Sequence, residues 1–277
     1  MTTHDLEYEY NPRVSTPDVE HYIEQAALES ARVRPELEGH YDVRYGPQSL
    51  MTCDIFPAGP DAPIHVFFHG GYWRGRDKSD YSFMVPAFLE AGVTLVLPNY
   101  DLCPVVDLKT IVRQTADCLN WVKAHGHQWG CDTNRISASG HSAGAHLLAM
   151  ALCPDFEHAI APDVVRNVVL ISGLFELAPV ASISVNEDIR LTPSLIEELS
   201  PMRHPPYPDL NLDILVGGNE TDSWIGQSED YHDYVKDKVS NASFELLTGH
   251  DHFSIVADFS DPRSPVTKAC IDAALDA

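Results

Sequence analysis

The sequence lacks a long apolar run. No stretch approaches the roughly 18 consecutive apolar residues that a membrane-spanning helix requires. The first ten residues, MTTHDLEYEY, contain neither the basic n-region nor the apolar h-region of a secretory signal. We therefore expect a cytoplasmic protein that has no membrane partner.

Positive charge is also scarce. Lys and Arg total 18 against 41 Asp and Glu, which gives a formal net charge of −23. A surface of this sign repels phosphate backbones, so nucleic acid is not an expected partner. A solvated acidic surface is the simplest explanation of the excess. Adaptation to a saline habitat is a second explanation.

No Cys-x-x-Cys pair occurs among the six cysteines. This scatter predicts reduced, mostly buried thiols and argues against a disulfide framework or a zinc site. Two His-x-His pairs, His125 with His127 and His250 with His252, lack a third metal ligand nearby. We expect neither a metal nor another cofactor. The cysteines are Cys53, Cys103, Cys118, Cys131, Cys153 and Cys270.

Internal repeats and low-complexity tracts are absent, and 277 residues are compatible with one large α/β domain. From Ile64 onward, apolar runs typical of buried parallel strands alternate with amphipathic segments. This alternation predicts an α/β fold with a mostly parallel central sheet and helices on both faces. The strands are predicted at 64–68, 93–98, 135–139, 168–172, 212–217 and 244–247, and the helices at 81–91, 107–125, 143–152, 224–239 and 267–274.

Two segments flank or interrupt this alternation. Residues 1–40 are predicted to form an arm and a covering helix at 19–34, before an antiparallel strand pair at 41–45 and 51–56. Residues 174–208 are rich in proline and contain a short helical stretch at 194–199. Because structureless loops of this length are uncommon, we expect a cap-like insertion over the strand ends. An ordinary long connection is the alternative.

Ser142 is the central residue of a Gly-x-Ser-x-Gly segment at 140–144. A predicted strand precedes the segment and a predicted helix follows it, as in a nucleophile elbow. The sharp turn exposes the serine hydroxyl, and the small residues Gly140 and Gly144 permit close packing. We therefore predict that Ser142 is the nucleophile of a serine hydrolase with the α/β-hydrolase fold.

The first long buried strand ends in His-Gly-Gly-Tyr-Trp at 69–73. In hydrolases of this fold, such a loop supplies backbone N–H groups to the tetrahedral oxyanion. The N–H of the residue after the serine completes the set. The expected oxyanion donors are Gly71, Tyr72 and Ala143, with Gly70 forming the turn.

A serine nucleophile requires a histidine base and a carboxylate, in the chain order Ser, acid, His for this fold. After the last predicted strand, His252 is the expected base and His250 the alternative. Two carboxylates, Glu220 and Asp222, follow the strand at 212–217. Spacing alone does not decide which of them orients the imidazole.

The segments 69–73 and 140–147, with Lys78 and the dipeptide 252–253, resemble the kynurenine formamidase (arylformamidase) branch of the α/β-hydrolases. The similarity extends from about residue 41 to the C-terminus. In that branch the acid is followed by an aromatic residue and then Gln-Ser, as Trp224 and 227–228 are here. The resemblance favours Glu220 as the acid, although the eukaryotic formamidases usually have Asp at this position.

The resemblance implies hydrolysis of a small amide or ester, above all an aryl formamide such as N-formylkynurenine, through an acyl-enzyme. Tyr72, Trp73 and Trp224 would then form an aromatic wall for a flat substrate, or would serve only in packing. A broad-specificity carboxylesterase on short-chain esters is the closest rival, because the His-Gly-Gly-x-Trp signature is shared. A binding protein without turnover, a lyase and a haloperoxidase are more remote alternatives. The sequence leaves a homodimer open.

Overall fold

The computed structural model describes residues 2–277, in which eight strands form one sheet with helices on both faces. The chain is an α/β protein, and the predicted fold class is confirmed. In chain order the strands are β1 (His40–Arg44), β2 (Thr52–Phe56), β3 (Ile64–Phe68), β4 (Thr94–Pro98), β5 (Ile136–His141), β6 (Asn167–Ile171), β7 (Asn211–Gly217) and β8 (Asn241–Leu247).

The spatial order of the strands is β1-β2-β4-β3-β5-β6-β7-β8. The β1–β2 and β2–β4 pairs are antiparallel, whereas the remaining neighbours are parallel. Every residue of β3, β4, β5 and β6 is buried, as expected for central parallel strands that are covered on both faces. Phe68 pairs with Gly140, so the loop after β3 lies beside the turn after β5.

The helices follow the predicted order with shifts at their ends. The predicted helix at 81–91 begins instead as a 3₁₀ turn, Lys78–Met84, and the predicted helix at 224–239 starts earlier and stops at Val235. The predicted arm is itself helical. The α-helices are α1 (Thr3–Tyr10), α2 (Pro12–Ser15), α3 (Val19–Val33), α4 (Val85–Glu90), α5 (Leu108–His125), α6 (Ala143–Ala151), α7 (Asn186–Ile189), α8 (Pro193–Leu199), α9 (Asp222–Val235), α10 (Ser254–Ala257) and α11 (Pro265–Leu275).

Apolar side chains of the central strands alternate between two cores, one on each face of the sheet. Along β3, Val66 and Phe68 enter the core formed with α5, α6 and α9, whereas Phe67 enters the core formed with α4 and α11. The same alternation in β6 separates Leu170 from Val169. The sheet is thus covered on both faces, and the carboxyl ends of its parallel strands meet at one edge.

A buried ionic cluster attaches the end of α3 to the sheet. Asp54 in β2 is fully buried and contacts Lys78 Nζ through Oδ1 at 3.1 Å and Arg34 Nη2 through Oδ2 at 2.5 Å. Lys78 also contacts Asp42 Oδ1 at 2.6 Å. Because the carboxylate of Asp54 has two cationic partners, its burial is compensated.

Residues 174–208 contain four short helical pieces, including α7 and α8. Their apolar residues, among them Leu177 and Val180, join the core on the α6 face. Helix α1 packs on the 3₁₀ turn Pro179–Ser182, and the Glu7 carboxylate accepts from both the backbone and the hydroxyl of Ser184. Among residues 2–277, no helix combines the length and apolarity that a bilayer crossing requires.

Candidate active site

Ser142 occupies a sharp turn between β5 and α6. Its φ of 57° and ψ of −117° lie in a region that non-glycine residues rarely adopt. A Cβ on Gly140 would lie 2.5 Å from the backbone of Gly144, and a Cβ on Gly144 would lie 2.1 Å from the carbonyl oxygen of Phe68. The two glycines therefore let strand, turn and helix approach closely. The predicted strand-turn-helix context of Ser142 is confirmed.

The loop after β3 also has unusual backbone geometry. Gly71, Tyr72 and Trp73 have successive positive φ values of 115°, 53° and 58°. Within residues 2–277, the backbone N–H groups of Gly71, Tyr72 and Ala143 have no hydrogen-bond acceptor. A Cβ on Gly70 would lie 3.2 Å from the Ser142 Cβ, so this loop passes directly beside the serine. The loop therefore carries unpaired backbone donors close to the serine.

His252 lies in the turn between β8 and α10, with 4% of its surface exposed. Its Nδ1 donates to Glu220 Oε2 at 2.6 Å. The Glu220 side chain is only 2% exposed, so the pair is shielded from water. No hydrogen bond joins His252 to the Ser142 hydroxyl, a contact that often tightens only with substrate bound. Both residues line the same cavity.

The structure also places the alternatives that the sequence left open. Asp222 is exposed as the first residue of α9, behind the N-cap Thr221, and does not contact His252. His250 Nε2 bonds instead to Asp258 Oδ2 at 2.7 Å. Of the two carboxylates and two histidines considered, only Glu220 and His252 pair with each other.

Sequence reasoning missed Ser172, which follows β6. Its hydroxyl donates to Glu220 Oε1 at 2.5 Å, and the Gly217 N–H donates to the same oxygen at 2.9 Å. Glu220 therefore has one oxygen held by the protein scaffold and the other directed at His252. The only available signal was the position of Ser172 at the carboxyl end of a central strand.

Sequence reasoning also assigned no role to His141 beyond its position next to Ser142. The His141 ring lies 4.6 Å from that of His252, centroid to centroid, at an angle of 49°. Burial, followed by the nearby His252, lowers the pKa of His141 well below its ordinary value. His141 is therefore a neutral neighbour of His252 at neutral pH.

A cavity of about 590 Å³ opens above Ser142 and His252. Tyr72, Tyr81 and Phe253 supply aromatic surface, whereas the N-terminal segment contributes residues from Asn11 to Glu29. Of the predicted cap-like insertion, only Asp188 lines this cavity. The N-terminal segment is thus the larger part of the cover.

Two of the three residues considered for an aromatic wall are fully buried, in agreement with the packing alternative. Trp73 is fully buried, packs edge-on against His146 at 4.8 Å and donates to the Ala143 carbonyl at 3.2 Å. Trp224 is 1% exposed, donates to the Ser172 carbonyl at 2.8 Å and packs on His252. Neither tryptophan lines the cavity above Ser142, whereas Tyr72 does. The tryptophans support the residues around the site.

The residues around Ser142 and His252 were also compared with the requirements of a metal site. Within the described residues, no group of three His, Cys, Asp or Glu side chains is arranged to hold a metal ion. The chemistry that the arrangement itself offers is acyl transfer by an oriented histidine, a serine and backbone donors.

Solved structures with a similar fold include a suggested thioesterase and a carboxylesterase. A suggested thioesterase from Silicibacter sp. superposes with a TM-score of 0.85 and 27% identity, over 96% of this chain and 98% of that one. A thermostable carboxylesterase from a metagenomic library superposes with a TM-score of 0.72 and 18% identity, over 100% and 96% of the two chains. The fold and these neighbours define the chain as an α/β-hydrolase enzyme.

Sequence comparisons show which α/β-hydrolases this chain is similar to. The BD-FAE family model matches residues 56–181. Kynurenine formamidase from Danio rerio is 28% identical over 97% of this chain and 95% of its own length. That from Drosophila melanogaster is 28% identical over 96% and 92%. The chain is therefore an α/β-hydrolase with hydrolase activity on amide or ester substrates, and it is similar to kynurenine formamidases over nearly its whole length.

Proposed function

We propose that the chain hydrolyses an aryl formamide of the N-formylkynurenine type through a serine-bound formyl ester. The observation that carries this proposal is the His252–Glu220 pair beside Ser142, in a chain similar over nearly its whole length to two kynurenine formamidases. The aromatic side chains of Tyr72, Tyr81 and Phe253 in the cavity suit a flat aryl group.

In the proposed first half-reaction, the Ser142 hydroxyl attacks the formyl carbon while His252 accepts the hydroxyl proton through Nε2. Glu220 holds the Nδ1–H of His252 and stabilises the imidazolium that forms. The N–H groups of Gly71, Tyr72 and Ala143 bind the oxyanion. Collapse of the tetrahedral intermediate transfers the proton from His252 to the leaving aryl amine.

In the second half-reaction, water attacks the formyl ester, and His252 removes a proton from that water. Collapse of the new intermediate breaks the ester bond, returns a proton to Ser142 Oγ and releases formate. The neutral state of His141 beside His252 suits this cycle, because a second positive charge there would oppose formation of the imidazolium.

A carboxylesterase with short-chain ester substrates is the second candidate. The esterase structures that share the fold support it, because the same serine, histidine and backbone donors cleave esters equally well. We further propose a small-molecule substrate as the partner and the cytoplasm as the compartment. The six free, buried cysteines suit a reducing environment.

The decisive measurement compares kcat/KM for N-formylkynurenine and p-nitrophenyl acetate with purified protein. A formamidase should prefer the formamide by orders of magnitude, whereas a general esterase should prefer the ester. Ser142→Ala should abolish turnover of both substrates and leave the melting temperature unchanged. If the variant kept even a tenth of the wild-type rate, Ser142 would not be the nucleophile.

A further inference from the structure

Charged side chains around the cavity are mostly neutralised by neighbours. Arg74 pairs with Asp188 at 2.7 Å, and Glu29 pairs with Arg32 at 2.8 Å. Arg13, which also lines the cavity, pairs with Glu20. Two charged residues of the lining, Arg76 and Asp80, remain.

Arg76 makes no hydrogen bond, ion pair or ring contact with another residue in the part of the chain that the structure describes. Such a cation is conspicuous in a protein with a net charge of −23, where acidic partners outnumber basic ones. The Arg76 backbone has a φ of 79°, and a Cβ on Gly71 would lie 2.9 Å from the Arg76 Cγ. The stem of Arg76 therefore packs on the loop that carries the expected oxyanion donors.

Asp80 lies one turn further along, in the 3₁₀ turn Lys78–Met84, and is partly buried. Burial raises the pKa of this carboxyl, whereas the positive charge of Arg76 and the backbone of Asp77 oppose the rise. Arg76 and Asp80 line the same cavity, yet the two side chains form no ion pair with each other. A cation and an anion are held apart in one cavity.

We propose that Arg76 and Asp80 form a specificity subsite that recognises a zwitterionic substrate. Arg76 binds a carboxylate, and Asp80 binds an adjacent ammonium. A planar guanidinium forms paired hydrogen bonds with a carboxylate, and the carboxylate of Asp80 retains acceptor sites for an N–H donor. The ligand class is an α-amino acid whose aryl group carries the scissile acyl group. This assignment rests on the proposed function.

Three formamides that share one aryl ketone test the subsite. They are N-formylkynurenine, its analogue without the α-amino group, and the uncharged 2′-formamidoacetophenone. For Arg76→Gln, kcat/KM should fall about 10- to 100-fold on the two carboxylates and less than about threefold on the uncharged compound, as for loss of one charged hydrogen bond. For Asp80→Asn, a comparable fall should occur only on N-formylkynurenine.

Arg13→Gln is the matched control, because it removes a cavity-lining positive charge that is already paired with Glu20. It should not change the ratio of charged to uncharged substrate. Equal losses on all three compounds in Arg76→Gln would overturn the proposal. If Arg76→Gln does not fold, wild-type protein replaces it: kcat/KM should be at least about 10-fold higher for the two carboxylates than for the uncharged formamide, as for one charged hydrogen bond. Equal values for the three compounds would likewise overturn the proposal.

If the proposed function is wrong, the measurements give a different result from the one that rejects the subsite. Wild-type protein would then cleave none of the formamides, and the same variants would be compared on phenyl acetate and 3-acetoxybenzoate, which differ by one carboxylate. A selective loss on 3-acetoxybenzoate in Arg76→Gln would support the subsite while rejecting the formamidase. A uniform loss would reject the subsite.

Discussion

At the scale of single residues, the position of Glu220 depends on its hydrogen bonds. Ser172 and Gly217 hold Oε1, so Oε2 is fixed toward His252 at 2.6 Å. An imidazole held in this way has one tautomer, with its other nitrogen available as a base. Two donors at the ends of the neighbouring strands β6 and β7 thus set the direction of a carboxylate in the loop after β7.

The paired variants Glu220→Gln and Asp222→Asn should differ sharply. An amide at position 220 no longer favours the right tautomer of His252, so kcat should fall by about 10²- to 10⁴-fold. Asp222 is exposed and does not contact His252, so its variant should stay within about twofold of wild type, as for most surface changes. Steady-state rates on one substrate suffice, and equal small losses would mean that neither carboxylate orients the base.

The sequence could not separate these two carboxylates by spacing, because both follow β7 within a few residues. The start of helix α9 distinguishes the two carboxylates. Thr221 caps α9, and Asp222 then lies in the first turn, where a negative charge is favourable and solvent is accessible. Glu220, just before the cap, points back toward the sheet edge. Ser142 and His252 were predicted without knowledge of a helix start, because each lies in a distinctive short motif.

At the scale of elements, the elbow depends on contact between β5, α6 and the end of β3. Gly144→Ala should destabilise the protein by about 1–3 kcal/mol or more, because its Cβ would lie 2.1 Å from the Phe68 carbonyl oxygen. Gly226→Ala is the control: it also lies in a helix, yet a Cβ there meets nothing within 4 Å. It should stabilise by about 0.5–1 kcal/mol. Urea unfolding measures both, and equal effects would contradict the packing argument.

Strands were easier to predict than the cover of the cavity. The predicted strand at 64–68 matches β3. Four of its five residues are apolar, and a short apolar run of this kind is typical of a buried strand. Helices α1 and α2 were not predicted, because they are short and mostly polar and gain their order by docking. The insertion 174–208 was expected to cover the strand ends, but its apolar residues serve the core. A local sequence pattern predicts buried strands and helices better than it predicts which part of the molecule a segment covers.

At the scale of the whole molecule, buried neutral histidines make stability depend on pH. Burial lowers the pKa of His65 to about 3, and those of His69 and His146 to about 4. In the unfolded chain these groups have a pKa of about 6.5. Below that pH the unfolded state binds more protons than the native state, so the free energy of unfolding falls as the pH falls.

We expect these three histidines to lower the free energy of unfolding by about 4 kcal/mol between pH 7.5 and pH 5.5, roughly 1.4 kcal/mol each, and the buried His141 to add to the drop. Urea unfolding at the two pH values measures this difference. His146→Gln should reduce the drop by about 1.4 kcal/mol, since one titrating group is removed. A pH-independent midpoint would contradict the assignment of neutral buried imidazoles.

The N-terminal segment contacts residues that are far from it in the sequence. The Glu9 carbonyl accepts from the Thr221 hydroxyl, the Glu9 carboxylate accepts from the Ser223 N–H, and the Tyr10 carbonyl accepts from the Tyr72 hydroxyl. The contacts of Glu9 with residues 221–223 span more than 200 residues of sequence, so they can form only after that part of the chain has been synthesised. Contacts of such long sequence separation slow folding.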